Sequence, residues 1–253
     1  MRLFLVALQF LTRLPVRMNR FEAAWLNDCV RHFPLVGALV GAVGAAVLVG
    51  ASQLWPAWIA AVLALAATIA LTGGFHEDGL ADTFDALGGV VPRDKALAIM
   101  KDSRIGSYGA LALGLSLLLR AALLAVLAER PMGAAVAALL VSHTFARAAA
   151  VGVMVSLPYG GDVDHAKAKP LALAVAPRNA AIALGWCGLL ALGLGMWGLP
   201  PQRLLLGLLA AVLVAWMMRQ WLKRRLRGYT GDGLGATEQL AEIAVLLAFT
   251  AAL

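Results

Sequence analysis

Long runs of apolar residues, broken by short polar or charged stretches, dominate the chain. Seven of these runs, at about 33–54, 57–72, 107–128, 132–157, 179–199, 204–222 and 238–253, approach the roughly 20 residues that a helix needs to cross a bilayer. The second and the last are short, which fits helices that are tilted or partly buried. Transmembrane barrels show weak period-2 alternation rather than runs of this length. The pattern therefore predicts an all-α, polytopic integral membrane bundle of about seven transmembrane helices, with a range of six to eight because residues 73–106 have room for a re-entrant helix. Pro56, Pro131 and the Pro200-Pro201 pair punctuate three tight connections, as proline does at helix ends. Residues 3–11 form a shorter apolar stretch. Thr12-Arg13-Leu14-Pro15 follows it instead of a small-residue cleavage site, so an interfacial helix is expected there and a signal peptide is not.

Composition sharpens this reading. The 253 residues are 62% apolar and 14% charged, with a mean hydropathy of +0.84. Soluble domains run at roughly 45–50% apolar and about 25% charged. A water-soluble enzyme and a disordered chain are both excluded, and the length suits one membrane-embedded catalytic domain over 1–253. The net charge of +7 does not point to nucleic acid, because of where the cations fall. Segments 1–32, 73–106, 158–178 and 223–237 hold 16 of the 21 Lys and Arg residues, while the opposite connections hold only Arg130 and Arg203. By the positive-inside rule the N-terminus and all the long loops are expected on the cytoplasmic side of a bacterial inner membrane. Cys29 and Cys187 match no metal or redox spacing and are expected to be free thiols.

Acids are scarce, so their placement is informative. Glu77, Asp78, Asp82 and Asp85 fall within nine positions. In a helix Asp78, Asp82 and Asp85 share one face. Like charges on one stripe repel, and a divalent cation relieves that repulsion; hard oxygen ligands suit Mg²⁺ or Mn²⁺, which commonly clamp substrate phosphates. A solvated acidic loop is the competing reading. A second group, Asp232, Glu238 and Glu242, sits at the start of the last span, where Glu238 also suits helix N-terminus stabilisation. Lys101, Ser103 and Arg104 precede the third span among glycines, and Arg104 offers a planar fork for phosphate oxygens. His143 and Arg147 lie one turn apart inside the fourth span, with the acids as a structural partner for Arg147 or a phosphate as its ligand. His76 adjoins the acids and suits substrate binding. Arg120 has no evident neighbour.

These residues predict a cytoplasm-facing cavity with acidic metal ligands, basic phosphate binders and an apolar shell. Three classes fit it: transfer of an alcohol phosphate from a nucleotide-activated donor, prenyl transfer from a pyrophosphate, and transport with intramembrane acids as ion relays. The motifs separate them. His76-Glu77-Asp78-Gly79-Leu80-Ala81-Asp82-Thr83-Phe84-Asp85, Met100-Lys101-Asp102-Ser103-Arg104-Ile105-Gly106 and Thr230-Gly231-Asp232-Gly233-Leu234-Gly235-Ala236-Thr237-Glu238 strongly resemble the cobalamin synthase family of adenosylcobinamide-GDP ribazoletransferases. Phe10-Leu11-Thr12-Arg13-Leu14-Pro15 and Phe33-Pro34-Leu35-Val36-Gly37 look like it too, so the resemblance covers nearly the whole chain. Ala86 departs from the glycine expected after Asp85.

The resemblance implies that adenosylcobinamide-GDP and α-ribazole, or its 5′-phosphate, are joined with release of GMP in the presence of Mg²⁺. It implies that Asp78, Asp82 and Asp85 hold the metal, with Glu77, Glu238 and Glu242 as further ligands. Asp78, Asp82, Glu238 and Arg104 become the catalytic candidates. His76, Lys101, Ser103, Arg104, Arg147 and Asp232 become substrate-binding candidates. The lipid bilayer, other corrinoid-pathway enzymes and a second copy of the chain are the further partners expected. The runner-up activities are UbiA-like prenyl transfer, CDP-alcohol phosphotransfer and, behind them, transport.

Overall fold

A computed structural model describes residues 1–18, 20, 22, 24–161 and 175–251. Most of the basic loop expected over 158–178 lies outside the described residues. The described chain forms eleven α-helices: α1 Arg2–Leu11, α2 Ala24–Cys29, α3 Phe33–Ala51, α4 Ala57–Thr72, α5 Phe75–Leu87, α6 Arg93–Met100, α7 Ser107–Ala128, α8 Met132–Ser156, α9 Pro177–Met196, α10 Pro201–Leu226 and α11 Gly231–Thr250. No strand is present among the described residues; Tyr159 and Tyr229 share one isolated bridge.

The apolar runs become helices close to their expected bounds. Five helical stretches are long and apolar enough to cross a membrane, and six if α4 and α5 count as one broken span. The molecule is a polytopic membrane bundle. The room left for a helix within 73–106 is used, and the last helix starts earlier than expected. The segment after α4 is helical: Gly73 and Gly74 take φ of 75° and 72°, conformations that glycine adopts freely, and α5 leaves α4 at 88°. The last helix begins at Gly231, not at 238, because Thr230 caps it by accepting a hydrogen bond from the Gly233 amide at 3.1 Å. Glu238 and Glu242 therefore lie well inside α11.

α8 is the central post. Its apolar window is 78% buried, against 17% for α10 and 22% for α9, which present their apolar faces outward. α3 closes on α8 through Gly37 and Gly41, where any added Cβ would strike the carbonyls of His143 and Leu139, as small residues permit between membrane helices. α5 meets α11 in the same way: a Cβ on Gly79 would lie 2.9 Å from the Asp232 carbonyl oxygen and 3.3 Å from the Gly235 Cα.

Two apolar clusters fill the interior, one including Leu11, Phe33, Leu80, Met154 and Leu222, the other including Leu48, Leu65, Leu127, Leu139 and Phe249. Both run along α3, α8 and α11, and the polar side chains of α8 and α11 fall between them. At the far end, Arg130 and Arg203 donate to the last carbonyls of α11, at Phe249 and Thr250, which a helix end leaves unsatisfied. Both cations assigned to the opposite face are thus helix clamps.

Candidate active site

Four helices converge on a buried polar network. α5 brings His76 and Glu77, α7 brings Arg120, α8 brings His143 and Arg147, and α11 brings Glu238, Gln239 and Glu242. Arg120 donates to Glu77 Oε1 at 2.9 Å, Glu242 Oε1 at 2.9 Å and Gln239 Oε1 at 2.7 Å. Arg147 Nη1 lies 2.7 Å from Glu238 Oε1 and donates to the His143 carbonyl at 3.0 Å. His143 Nδ1 stands 3.1 Å from Glu242 Oε2, and His76 Nδ1 stands 3.9 Å from Glu238 Oε2. Gln239 donates to Glu238 at 3.0 Å. All eight residues are buried.

Buried ions are tolerated only where partners and hydrogen bonds offset desolvation. Here two guanidiniums face three carboxylates, with two imidazoles and the Gln239 amide beside them. The network surrounds a void of about 10 Å³, the room of a single water. Glu77 Oε2 is buried and has no hydrogen-bond partner among the described residues.

This corrects several roles read from the sequence. Glu77, Glu238 and Glu242 do come together, but around Arg120 and Arg147 instead of in an open acidic cluster. Ligand atoms of His143, Glu238 and Glu242 lie within 4.8 Å of one another, close enough for a cation. A dication there would compete with both guanidiniums in a space too small for a diphosphate. Arg147 pairs with Glu238, the acidic structural partner that the sequence allowed for it beside a phosphate. Arg120, left unexplained by the sequence, is the hub. Its signal was an arginine alone inside an apolar helix, which requires a carboxylate from elsewhere.

Asp85 also has another occupation. Its two oxygens accept from the amides of Gly106 at 2.7 Å and Gly109 at 2.8 Å, so it caps the start of α7. With Glu77 held by Arg120 farther along, α5 is fastened to α7 at two points. Arg104 is exposed and its fork is filled by Asp102: Nε donates at 3.0 Å and Nη2 at 2.6 Å. These hydrogen bonds hold the Asp102 carboxyl down at about 2. Lys101 and Ser103 are exposed on the same loop.

Two acids of the stripe remain facing outward. Asp78 is exposed and Asp82 half-buried on α5, and Asp232, half-buried in the first turn of α11, is brought beside α5 by the Gly79 contact. Asp78 borders a groove of about 500 Å³ at the α4–α5 bend, together with Phe10, Thr12, Arg13, Gly73 and Phe75. Arg13, Phe10 and Gln239 were not singled out by composition or spacing. Asp78 and Asp82 on α5 and Asp232 on α11 thus lie on two helices in contact, at a more exposed margin than the arginine-filled interior.

Comparison with known proteins identifies the family. A family model described as cobalamin-5-phosphate synthase matches residues 3–250. A protein from Leptothrix cholodnii named adenosylcobinamide-GDP ribazoletransferase is 49% identical over 99% of this chain and 95% of its own length. Proteins of the same name from Shewanella amazonensis and Vibrio cholerae are 42% and 40% identical, each over 98% of this chain and over 94% and 92% of their own lengths. No solved structure matches the chain. The match spans nearly the whole chain, and the chain belongs to the cobalamin-5-phosphate synthase family.

Proposed function

We propose that this protein joins adenosylcobinamide-GDP to α-ribazole or α-ribazole 5′-phosphate, giving adenosylcobalamin or its 5′-phosphate and GMP. It is a membrane transferase of cobalamin nucleotide-loop assembly; its relatives are named adenosylcobinamide-GDP ribazoletransferases. The observation that carries the site assignment is the Gly79 contact, which sets the acidic stripe of α5 against the Asp232 turn of α11 beside an open groove.

Asp78, Asp82 and Asp232 would hold a divalent cation, which when bound neutralises charge on the diphosphate oxygens. The remaining work belongs to side chains of this chain. The acceptor 3′-hydroxyl attacks the corrinoid-side phosphorus, the bond to the bridging oxygen of the guanylate breaks, and GMP leaves with that oxygen. The hydroxyl proton passes to a carboxylate at the groove margin. Lys101 lies exposed in the loop before α7, where it adds positive charge to the face that anionic substrates approach. Arg120 and Arg147 act behind this surface by fixing α5, α7, α8 and α11 to one another.

We place this face and the N-terminus in the cytoplasm, at a bacterial inner membrane. The support is the 16 of 21 Lys and Arg residues on that side, and the use of Arg130 and Arg203 as clamps on the other.

Incubation of the purified protein with adenosylcobinamide-GDP, α-ribazole and Mg²⁺, resolved by chromatography, tests the reaction. Equimolar GMP and adenosylcobalamin are expected. Release of inorganic pyrophosphate from an isoprenoid donor without guanylate would establish prenyl transfer instead, and solute flux in proteoliposomes without covalent chemistry would establish transport.

A further inference from the structure

The groove at the α4–α5 bend carries a cation that the reaction above does not use. The backbone of Arg13 is pinned, its amide donating to the Leu71 carbonyl at 2.8 Å. Its side chain passes over Gly73, where any Cβ would collide with the guanidinium Nε. The guanidinium lines the groove and makes no hydrogen bond or ion pair with a described residue. Arg104, Arg120 and Arg147, by contrast, are all committed to carboxylates. The first turn of α5 opens on the same groove, and its N-cap, Gly74, offers no side chain to the free amides there. Phe10 and Phe75 meet edge to face at 5.6 Å and form an apolar wall beside the cation. Asp78 stands at the other margin.

An unpaired planar fork, a helix start and an aromatic wall together suit a phosphate monoester attached to a planar base. We propose that Arg13 holds the 5′-phosphate of the acceptor, so that this groove distinguishes α-ribazole 5′-phosphate from α-ribazole. The inference rests on the reaction proposed above. The donor diphosphate is drawn to the Asp78, Asp82 and Asp232 margin, and the acceptor monoester is the anion that remains for Arg13. The 3′-hydroxyl then faces Asp78 while the 5′-phosphate lies across the ribose at Arg13.

The test is the ratio of kcat/KM for the phosphorylated over the unphosphorylated acceptor, measured for the wild type, Arg13→Lys and Arg13→Ala. Arg13→Ala is expected to lower that ratio about 10- to 100-fold, the usual worth of a charge-assisted bidentate contact, and Arg13→Lys to lower it less. A ratio equal to the wild type, with both acceptors weakened alike, overturns the proposal, as does a rise confined to the KM of adenosylcobinamide-GDP. If Arg13→Ala turns over neither acceptor, equilibrium dialysis of the two radiolabelled acceptors supplies the same ratio from binding. A wild-type protein that releases no GMP with either acceptor would instead refute the reaction itself.

Discussion

Arg120 shows what a single residue does in this bundle. It satisfies Glu77, Glu242 and Gln239 from two other helices in a region closed to water. Replacing it with methionine leaves two buried carboxylates without their cation, and breaking such a pair from one side costs about 3–5 kcal/mol. Thermal unfolding in detergent should show Arg120→Met strongly destabilised; an unchanged Tm would mean that the guanidinium is not needed to hold the network. The carboxylates of this network were legible in the sequence because acids are rare in apolar helices. Their partners were not, since pairing between α7 and α11 depends on how the helices pack. Asp85 was only half legible for a related reason: spacing places it on the stripe of Asp78 and Asp82, but only the approach of α7 shows that it also receives two amides. Arg104 likewise reads as a phosphate fork until Asp102 is seen within it.

At the scale of helices, apolar run length gave the spans with good bounds, because twenty buried or lipid-facing residues leave a signal that no loop imitates. The start of α11 was less legible. Gly233 and Gly235 fall before the expected start at 238, yet Gly233 gives its amide to the Thr230 cap and Gly235 serves the close crossing with α5. Thr230→Ala should lower stability by about 1 kcal/mol, the usual worth of an N-cap, as a small fall in Tm. Gly79→Val should do more. Its side chain must push the α5 and α11 backbones apart, at a cost of about 1–3 kcal/mol. GMP release should fall by more than about 10-fold, because the displacement separates Asp78 and Asp82 from Asp232. Gly50→Val, where the added atoms meet open space, serves as the control. Equal activity in the two variants would show that the α5–α11 contact does not set the site.

For the whole molecule, the charge asymmetry and the helix network describe one object with two unlike faces. Ser103 and Gln202 are both exposed, on the face assigned to the cytoplasm and on the opposite one. Cys29 and Cys187 are buried, so cysteines introduced at those two positions should dominate labelling. In intact cells a membrane-impermeant maleimide should modify Gln202→Cys and spare Ser103→Cys; the reverse would invert the topology. Within this frame, the interior arginine–carboxylate network fastens four helices, and the chemistry takes place at the outward acids of α5 and α11. The most direct test of that division is Mn²⁺ binding by electron paramagnetic resonance in the purified protein with adenosylcobinamide-GDP. High-affinity Mn²⁺ binding and GMP release should disappear together in Asp82→Asn, while the protein still inserts and folds. Wild-type Mn²⁺ binding in Asp82→Asn, with the ion lost instead in Glu242→Gln, would contradict it and return the metal to the buried cluster.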